Sequence, residues 1–95
     1  MNNTFEKVCI VGLGLIGGSI GLAIKRSNIS NQITGYARSN STLERAIELG
    51  LVDSVKDNLK DAVNNSDLVI LATPLSTFRE LVEEMSPFLK KGCII

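Results

Sequence analysis

An α/β fold built on one doubly wound parallel sheet is predicted by three features of the 95-residue sequence. Short apolar runs alternate with helical stretches along its whole length, the pattern of strands laid side by side with helices crossing between them. The runs 8–11 and 68–72 are apolar without alternation, as strands covered on both faces are. Between the first run and the first helical stretch stand Gly12, Gly14 and Gly17, in the Gly-x-Gly-x-x-Gly spacing that brings a dinucleotide pyrophosphate to a helix N-terminus. The expected architecture is a Rossmann-type sheet. Residues 1–95 are read as the N-terminal part of an NAD(P)-binding domain, ending within or just after a fifth strand.

Each glycine has a separate physical reason. Gly12 allows the tight turn out of the strand, Gly14 lets the pyrophosphate approach the backbone, and Gly17 lets the helix pack closely. The phosphates would rest on the free N–H groups and positive dipole end of that helix, beside Leu15 and Ile16, so no basic side chain is required in the loop. The helix itself is read from Ile16, Ile20, Ala23 and Ile24 at i, i+4, i+7 and i+8, with Gly21 on the same packing side and an end near Lys25 and Arg26. A tight strand-to-helix turn with no ligand is the alternative for the same glycines.

A loop at 27–31 leads to a second strand at 33–37. At its end a dinucleotide fold that uses NAD carries an Asp or Glu for the adenosine ribose. Here the position is Ala37, followed by Arg38, Ser39, Asn40 and Ser41. A small residue removes the repulsion of a 2′-phosphate, while Arg38 and Ser39 supply donors to it, so NADP is favoured and NAD is possible. A solvated loop arginine is the competing explanation of Arg38.

Ser41 and Glu44 have capping-box spacing for a second helix that runs to about Leu49 and stops at Gly50, with Leu43, Ala46 and Ile47 facing the sheet. Residues 51–55 hold a turn and a short third strand. Leu59, Ala62 and Val63 form a short helix capped by Asn58.

The fourth strand, 68–72, lies next to the first and borders the crevice where the sheet's connections change direction. It ends at Thr73-Pro74-Leu75. Pro74 stops strand pairing; alternatively or in addition, Ala72, Thr73 and Pro74 line the nicotinamide half of a cofactor. Leu75, Phe78, Leu81, Val82 and Met85 recur at helical spacing and are read as core. Pro87 ends or restarts that helix, and Lys90, Lys91 and Gly92 stop it before a fifth strand beginning at Cys93, Ile94 and Ile95.

Ten basic and ten acidic residues give no net charge and no blocks, which offers nothing to nucleic acid or an anionic membrane. No signal-peptide pattern and no apolar run of spanning length is present, so a cytoplasmic protein is expected. Cys9 and Cys93 fall in expected strand interiors two strands apart, roughly 9–10 Å, too far for a disulfide. With no histidine and no Cys-x-x-Cys, no metal site is expected.

The run from Gly12 to Ser19 (Gly-Leu-Gly-Leu-Ile-Gly-Gly-Ser) resembles the cofactor loop of the prephenate and arogenate dehydrogenases of tyrosine biosynthesis. Gly35-Tyr36, the run 46–53 (Ala-Ile-Glu-Leu-Gly-Leu-Val-Asp) and the run 66–74 (Ser-Asp-Leu-Val-Ile-Leu-Ala-Thr-Pro) follow that family's pattern in the same order. The resemblance implies an oxidative decarboxylation: hydride passes from the hydroxyl-bearing ring carbon of prephenate or arogenate to the nicotinamide, and carbon dioxide is lost as the ring aromatises. It also implies cofactor contacts at Gly12, Gly14, Leu15, Ile16 and Gly17 for the pyrophosphate, Arg38 and Ser39 for the adenosine ribose, and Ala72, Thr73 and Pro74 beside the nicotinamide ribose. The family's substrate-polarising histidine and its carboxylate-binding arginines have no counterpart here, so no catalytic residue is expected in 1–95. These groups would lie further on, with the helical domain through which family members dimerise. Many members carry Asp where this chain has Ala37. Other dehydrogenases of small acids or imines, and a non-catalytic module sensing a nicotinamide dinucleotide, share such a nucleotide domain. An S-adenosylmethionine methyltransferase fits less well, because its ligand has no pyrophosphate and usually meets an acid where Ala37 stands.

Overall fold

A computed structural model describes residues 5–13 and 15–95, the side chains of Leu15 and Ile16 excepted. Four strands, β1 (Phe5–Val11), β2 (Ser30–Tyr36), β3 (Ser54–Lys56) and β4 (Leu68–Leu71), form one all-parallel sheet in the order β3-β2-β1-β4. The helices α1 (Leu15–Ser27), α2 (Asn40–Glu48), α3 (Leu59–Val63) and α4 (Phe78–Met85) connect them. On the outer side of β4, Ile94 makes a single parallel bridge to Leu68, where the expected fifth strand begins.

β1 is central because residues 8–11 are apolar on both faces. Its side chains alternate between two cores. Val8 and Ile10 join Leu13, Ile24, Ile33, Leu43, Ala46 and Val52 beneath α1 and α2. Cys9 and Val11 join Leu59, Ala62, Val63, Val69, Leu81 and Met85 beneath α3 and α4. All four of these β1 residues are fully buried, and burial holds the Cys9 thiol in its neutral form, pushing its pKa up to about 12.

Several boundaries differ from the sequence expectation, each for a local reason. β2 starts at Ser30, not 33, because Phe5 and Lys7 pair with Ser30 and Gln32 even though these polar residues bury little. The third strand is confined to Ser54–Lys56. The second helix begins at Asn40 with Ser39 as its N-cap, so Ser41 lies in the first turn and does not cap; its hydroxyl contacts the Ser39 hydroxyl at 2.8 Å. At the other end the expectation is met. Gly50 takes a positive φ of 68°, and N–H donation from Gly50 to Ile47 O (3.0 Å) and from Leu51 to Ala46 O (2.9 Å) closes a Schellman motif. Asn58 caps α3 by accepting from the Asp61 N–H at 2.8 Å.

Three residues assigned to the core by periodicity are exposed. Ile47 turns out of the narrow arc that buries Leu43 and Ala46, and Ala23 turns away while Ile24 goes in. Leu75, 78% exposed, sits in a separate turn of 3₁₀ helix (Leu75–Thr77) that precedes α4 and breaks the helical phase. Cys93 is half-buried just ahead of the bridge, not inside a strand, and both cysteines are free. Among the described residues no helix is long and apolar enough to cross a membrane.

One carboxylate fastens the amino edge of the sheet. Asp67 accepts from the N–H groups of Glu6 (2.8 Å) and Lys7 (3.2 Å) and pairs with the Lys90 ammonium, while its own backbone bonds to Lys7 O and to the Ile94 N–H, each at 2.9 Å. The Lys90 contact first, then the two N–H donors, hold the Asp67 carboxyl below the usual carboxylate range. A depressed folded pKa adds stability that is complete above the unfolded value, about 3.9, and is lost as pH falls through the folded value. Thermal unfolding followed at steps from pH 6 to pH 2 should therefore show an acid limb that Asp67→Asn makes shallower. An unchanged limb in the variant refutes the assignment.

Candidate functional site

The carboxyl ends of β1, β2 and β4 meet at a turn that only glycine can make. Gly12 leaves β1 with φ +100°, donates its N–H to Tyr36 O at the end of β2 (2.8 Å), and lies against the end of β4, where the Ala72 N–H donates to Val11 O (2.8 Å). A Cβ on Gly12 would come within 2.8 Å of the Thr73 methyl and 2.9 Å of Ala72 O. One on Gly17 would lie 1.8 Å from Gly12 O and 3.2 Å from the Ala72 Cβ. The first turn of α1 is thus pressed onto the glycine turn itself. Gly14 lies outside the described residues, and of Leu15 and Ile16 only the helical backbone is described.

Beside this turn opens a cleft of about 360 Å³. It brings together Gly12, Arg38, Ser39, Thr73 and Pro74 from the sequence-derived set, with Ala37 in its wall. Ala72 does not line it, being packed beneath the turn near Gly17. Val11 and Tyr36 at the strand ends, with Leu13, Thr42, Thr77 and Leu81, complete the walls, and the last four were not singled out by motif. Leu13 lies across β2, where a Cβ on Gly35 would come within 2.6 Å of it. Thr77 has a signal in the sequence, its i+4 spacing from Thr73, which becomes a hydroxyl contact of 2.8 Å.

The electrostatics of the cleft suit an anion. Neither α1 nor α2 carries an acidic residue in its first turn. Ser39 makes no side-chain cap, and the first helical backbone bond of α2 is Leu43 N–H to Ser39 O at 3.2 Å, so the N–H groups of Asn40, Ser41 and Thr42 keep their donors. Arg38 is exposed at the cleft wall, and no carboxylate among the described residues pairs with it. A larger groove of about 510 Å³ between α1 and α2 shares Leu13 and Thr42 but is walled by helix flanks, away from the strand ends. Among the described residues no group of three His, Cys, Asp or Glu could hold a metal ion.

The sequence model of the family described as "Prephenate dehydrogenase, nucleotide-binding domain" matches residues 20–95. The chain belongs to this family. Within the prephenate dehydrogenase family and its neighbours, the chain is 38% identical over 91 residues to a cyclohexadienyl dehydrogenase of Zymomonas mobilis, covering 96% of this chain and 31% of that protein. The crystal structure of prephenate dehydrogenase from A. aeolicus in complex with hydroxyphenyl propionate and NAD+ superposes with a TM-score of 0.85 at 30% identity, over 94% of this chain and 32% of that one. Synechocystis arogenate dehydrogenase superposes with the same score and identity, over 93% and 31%. The chain thus spans about a third of the length of these relatives. The overall fold of the chain is that of these solved relatives.

Proposed function

We propose that the cleft binds a nicotinamide dinucleotide and that residues 1–95 supply the first part of the nucleotide domain of an enzyme that oxidatively decarboxylates prephenate or arogenate. The observation that carries the proposal is the β1–Gly12–α1 turn packed on Gly17 and opening directly into the cleft that Arg38, Ser39, Thr73 and Pro74 share. The residues present fit the ligand. An acid-free helix N-terminus receives the pyrophosphate, with Gly12, Gly14, Leu15, Ile16 and Gly17 around it. The Arg38 guanidinium and the N–H groups opening α2, unpaired among the described residues, suit a phosphate on the adenosine ribose, which favours NADP over NAD. Thr73 and Pro74 flank the nicotinamide side, with Ala72 supporting them from beneath the glycine turn.

When bound and oxidised, the nicotinamide supplies the hydride acceptor. This chain's part is to fix the dinucleotide's position by backbone donors, to discriminate at the 2′ position through Arg38, and to keep the ring end against the β4 edge. The native gene product, assayed spectrophotometrically with prephenate and arogenate crossed with NAD and NADP, should reduce the cofactor with at least one of the substrates, faster with NADP. No reduction in any pairing, from protein shown by calorimetry to bind the cofactor, overturns the substrate assignment. Binding with no substrate turned over would favour the sensing module that shares this nucleotide domain.

A further inference from the structure

Gly35 is buried near the end of β2, and its backbone gives no reason for a glycine, since it lies in an extended strand and its φ is not positive. A glycine inside a strand weakens it and often marks a close approach by another group. Here that group is the Leu13 side chain. A Cβ on residue 35 would come within 2.6 Å of one Leu13 methyl, 2.9 Å of the other and 3.2 Å of the Cγ between them, all inside the usual carbon–carbon contact of about 3.5–4.0 Å. The whole branched end of Leu13 lies in the notch, so turning one methyl aside would not clear it. Leu13 is itself buried and belongs to the core beneath α1 and α2. The next residue of β2, Tyr36, accepts the Gly12 N–H at 2.8 Å. Consecutive residues of β2 thus grip consecutive residues of the loop, one by shape and the other by a hydrogen bond.

We propose that Gly35 is a positioning residue: its missing side chain seats Leu13, and that seat sets the height over β2 at which the Gly-x-Gly loop receives the dinucleotide pyrophosphate. The inference rests on the nucleotide reading above and adds to it a residue that does not itself line the cleft. Leu13 stands between the first two glycines of the loop, so a push on its side chain away from β2 passes to the backbone on either side. On one side Gly12 is held by Tyr36 O. The displacement therefore falls on the stretch leading into α1, where the helix N-terminus meets the phosphates.

Isothermal titration of the native gene product and its variants tests this with NADP, with NAD and with adenosine 2′-monophosphate, which keeps the adenosine and the 2′-phosphate but has no pyrophosphate. Each variant is titrated at a temperature where circular dichroism shows it fully folded. Gly35→Ala should weaken NADP and NAD by the same factor, about tenfold, which corresponds to the lower part of the usual overpacking cost, and leave the monophosphate within about twofold. In a Leu13→Ala background, where the notch is empty, adding Gly35→Ala should change NADP affinity by less than about twofold. A methyl that only destabilised the fold would leave the affinity of the folded protein untouched, so unchanged NADP binding by Gly35→Ala overturns the proposal. Equal weakening of NADP and the monophosphate overturns it too, as does a loss that persists in the Leu13→Ala background. Should Gly35→Ala fail to fold, Leu13→Phe, too large for the notch, takes its place, and unchanged NADP binding there overturns the proposal. An unaltered protein that binds neither NADP nor NAD refutes the nucleotide reading itself, and this inference with it.

Discussion

Gly17→Ala is expected to cost the chain about 3 kcal/mol, the upper end of what overpacking usually costs. The added methyl would lie 1.8 Å from the Gly12 carbonyl oxygen, well inside contact distance. Neither partner can step aside. Gly12 is tied to β2 through Tyr36 O, the neighbouring Val11 to β4 through the Ala72 N–H, and Gly17 stands in the first turn of a 13-residue helix held in turn against Leu51 at Gly18 and Gly21. Relief requires α1 to tilt off the sheet, which opens the core around Ile10 and Ile24. For a domain of this size the loss corresponds to a fall in melting temperature of roughly 12–24 °C. Gly50→Ala is the control. Its φ of 68° is costly for alanine, but its Cβ would meet nothing within 4 Å, so only the backbone cost of about 1 kcal/mol applies. Differential scanning calorimetry of both variants decides the matter. If Gly17→Ala melts within 2–3 °C of the unaltered chain, or no lower than Gly50→Ala, the close packing of α1 on the glycine turn is wrong.

The contrast between those two glycines shows what the sequence can and cannot carry. Gly12 and Gly17 were legible because a spacing rule encodes a backbone geometry, and the fold follows once β1 and β4 are seen as strands buried on both faces. Ile47, Ala23 and Leu75 were misread because helical periodicity reports one face of an unbroken helix. It is blind to how wide an arc the neighbouring layer covers, and a three-residue 3₁₀ turn before α4 resets its phase. The Ser41–Glu44 spacing failed for a different reason. Three hydroxyl or amide residues in succession, Ser39, Asn40 and Ser41, can all cap, and the choice among them depends on where β2 releases the chain. Asp67 gave no local signal, since its partners Glu6, Lys7 and Lys90 lie 61, 60 and 23 positions away and meet only when the sheet assembles.

The site was legible in the same uneven way. Gly12, Arg38, Ser39, Thr73 and Pro74 are recoverable because each follows a strand end, and in a parallel sheet the strand ends on one side converge by topology. Leu13, Thr42 and Leu81 line the same cleft through side-chain direction, which no motif specifies. Ala72 shows the converse. It adjoins Thr73 in sequence, yet the two-residue alternation of a strand end turns it under the glycine turn and leaves the cleft to its neighbour.

Arg38→Ala is expected to weaken NADP by about 10- to 100-fold and NAD by no more than about threefold. A charge-assisted hydrogen bond to a phosphate contributes about 1.5–3 kcal/mol, and a factor of ten in affinity is about 1.4 kcal/mol. Both cofactors share the pyrophosphate and the nicotinamide half, so the turn at Gly12 and the β4 edge affect them equally; only the 2′ position differs. There Arg38 is unpaired among the described residues, and the open N–H groups of α2 follow two residues later, so a phosphate gains a full charge and a helix dipole at one point. Ala37 supplies the complementary test. It lies at the cleft wall at the end of β2, where Ala37→Asp would set a carboxylate against the 2′-phosphate and offer the 2′-hydroxyl of NAD an acceptor instead. The Ala37→Asp, Arg38→Ala pair should therefore reverse the preference. Titration of each variant with both cofactors separates the cases. Losses that are equal for NADP and NAD would make Arg38 a surface arginine of general effect, and the preference for NADP would then have no basis in this loop.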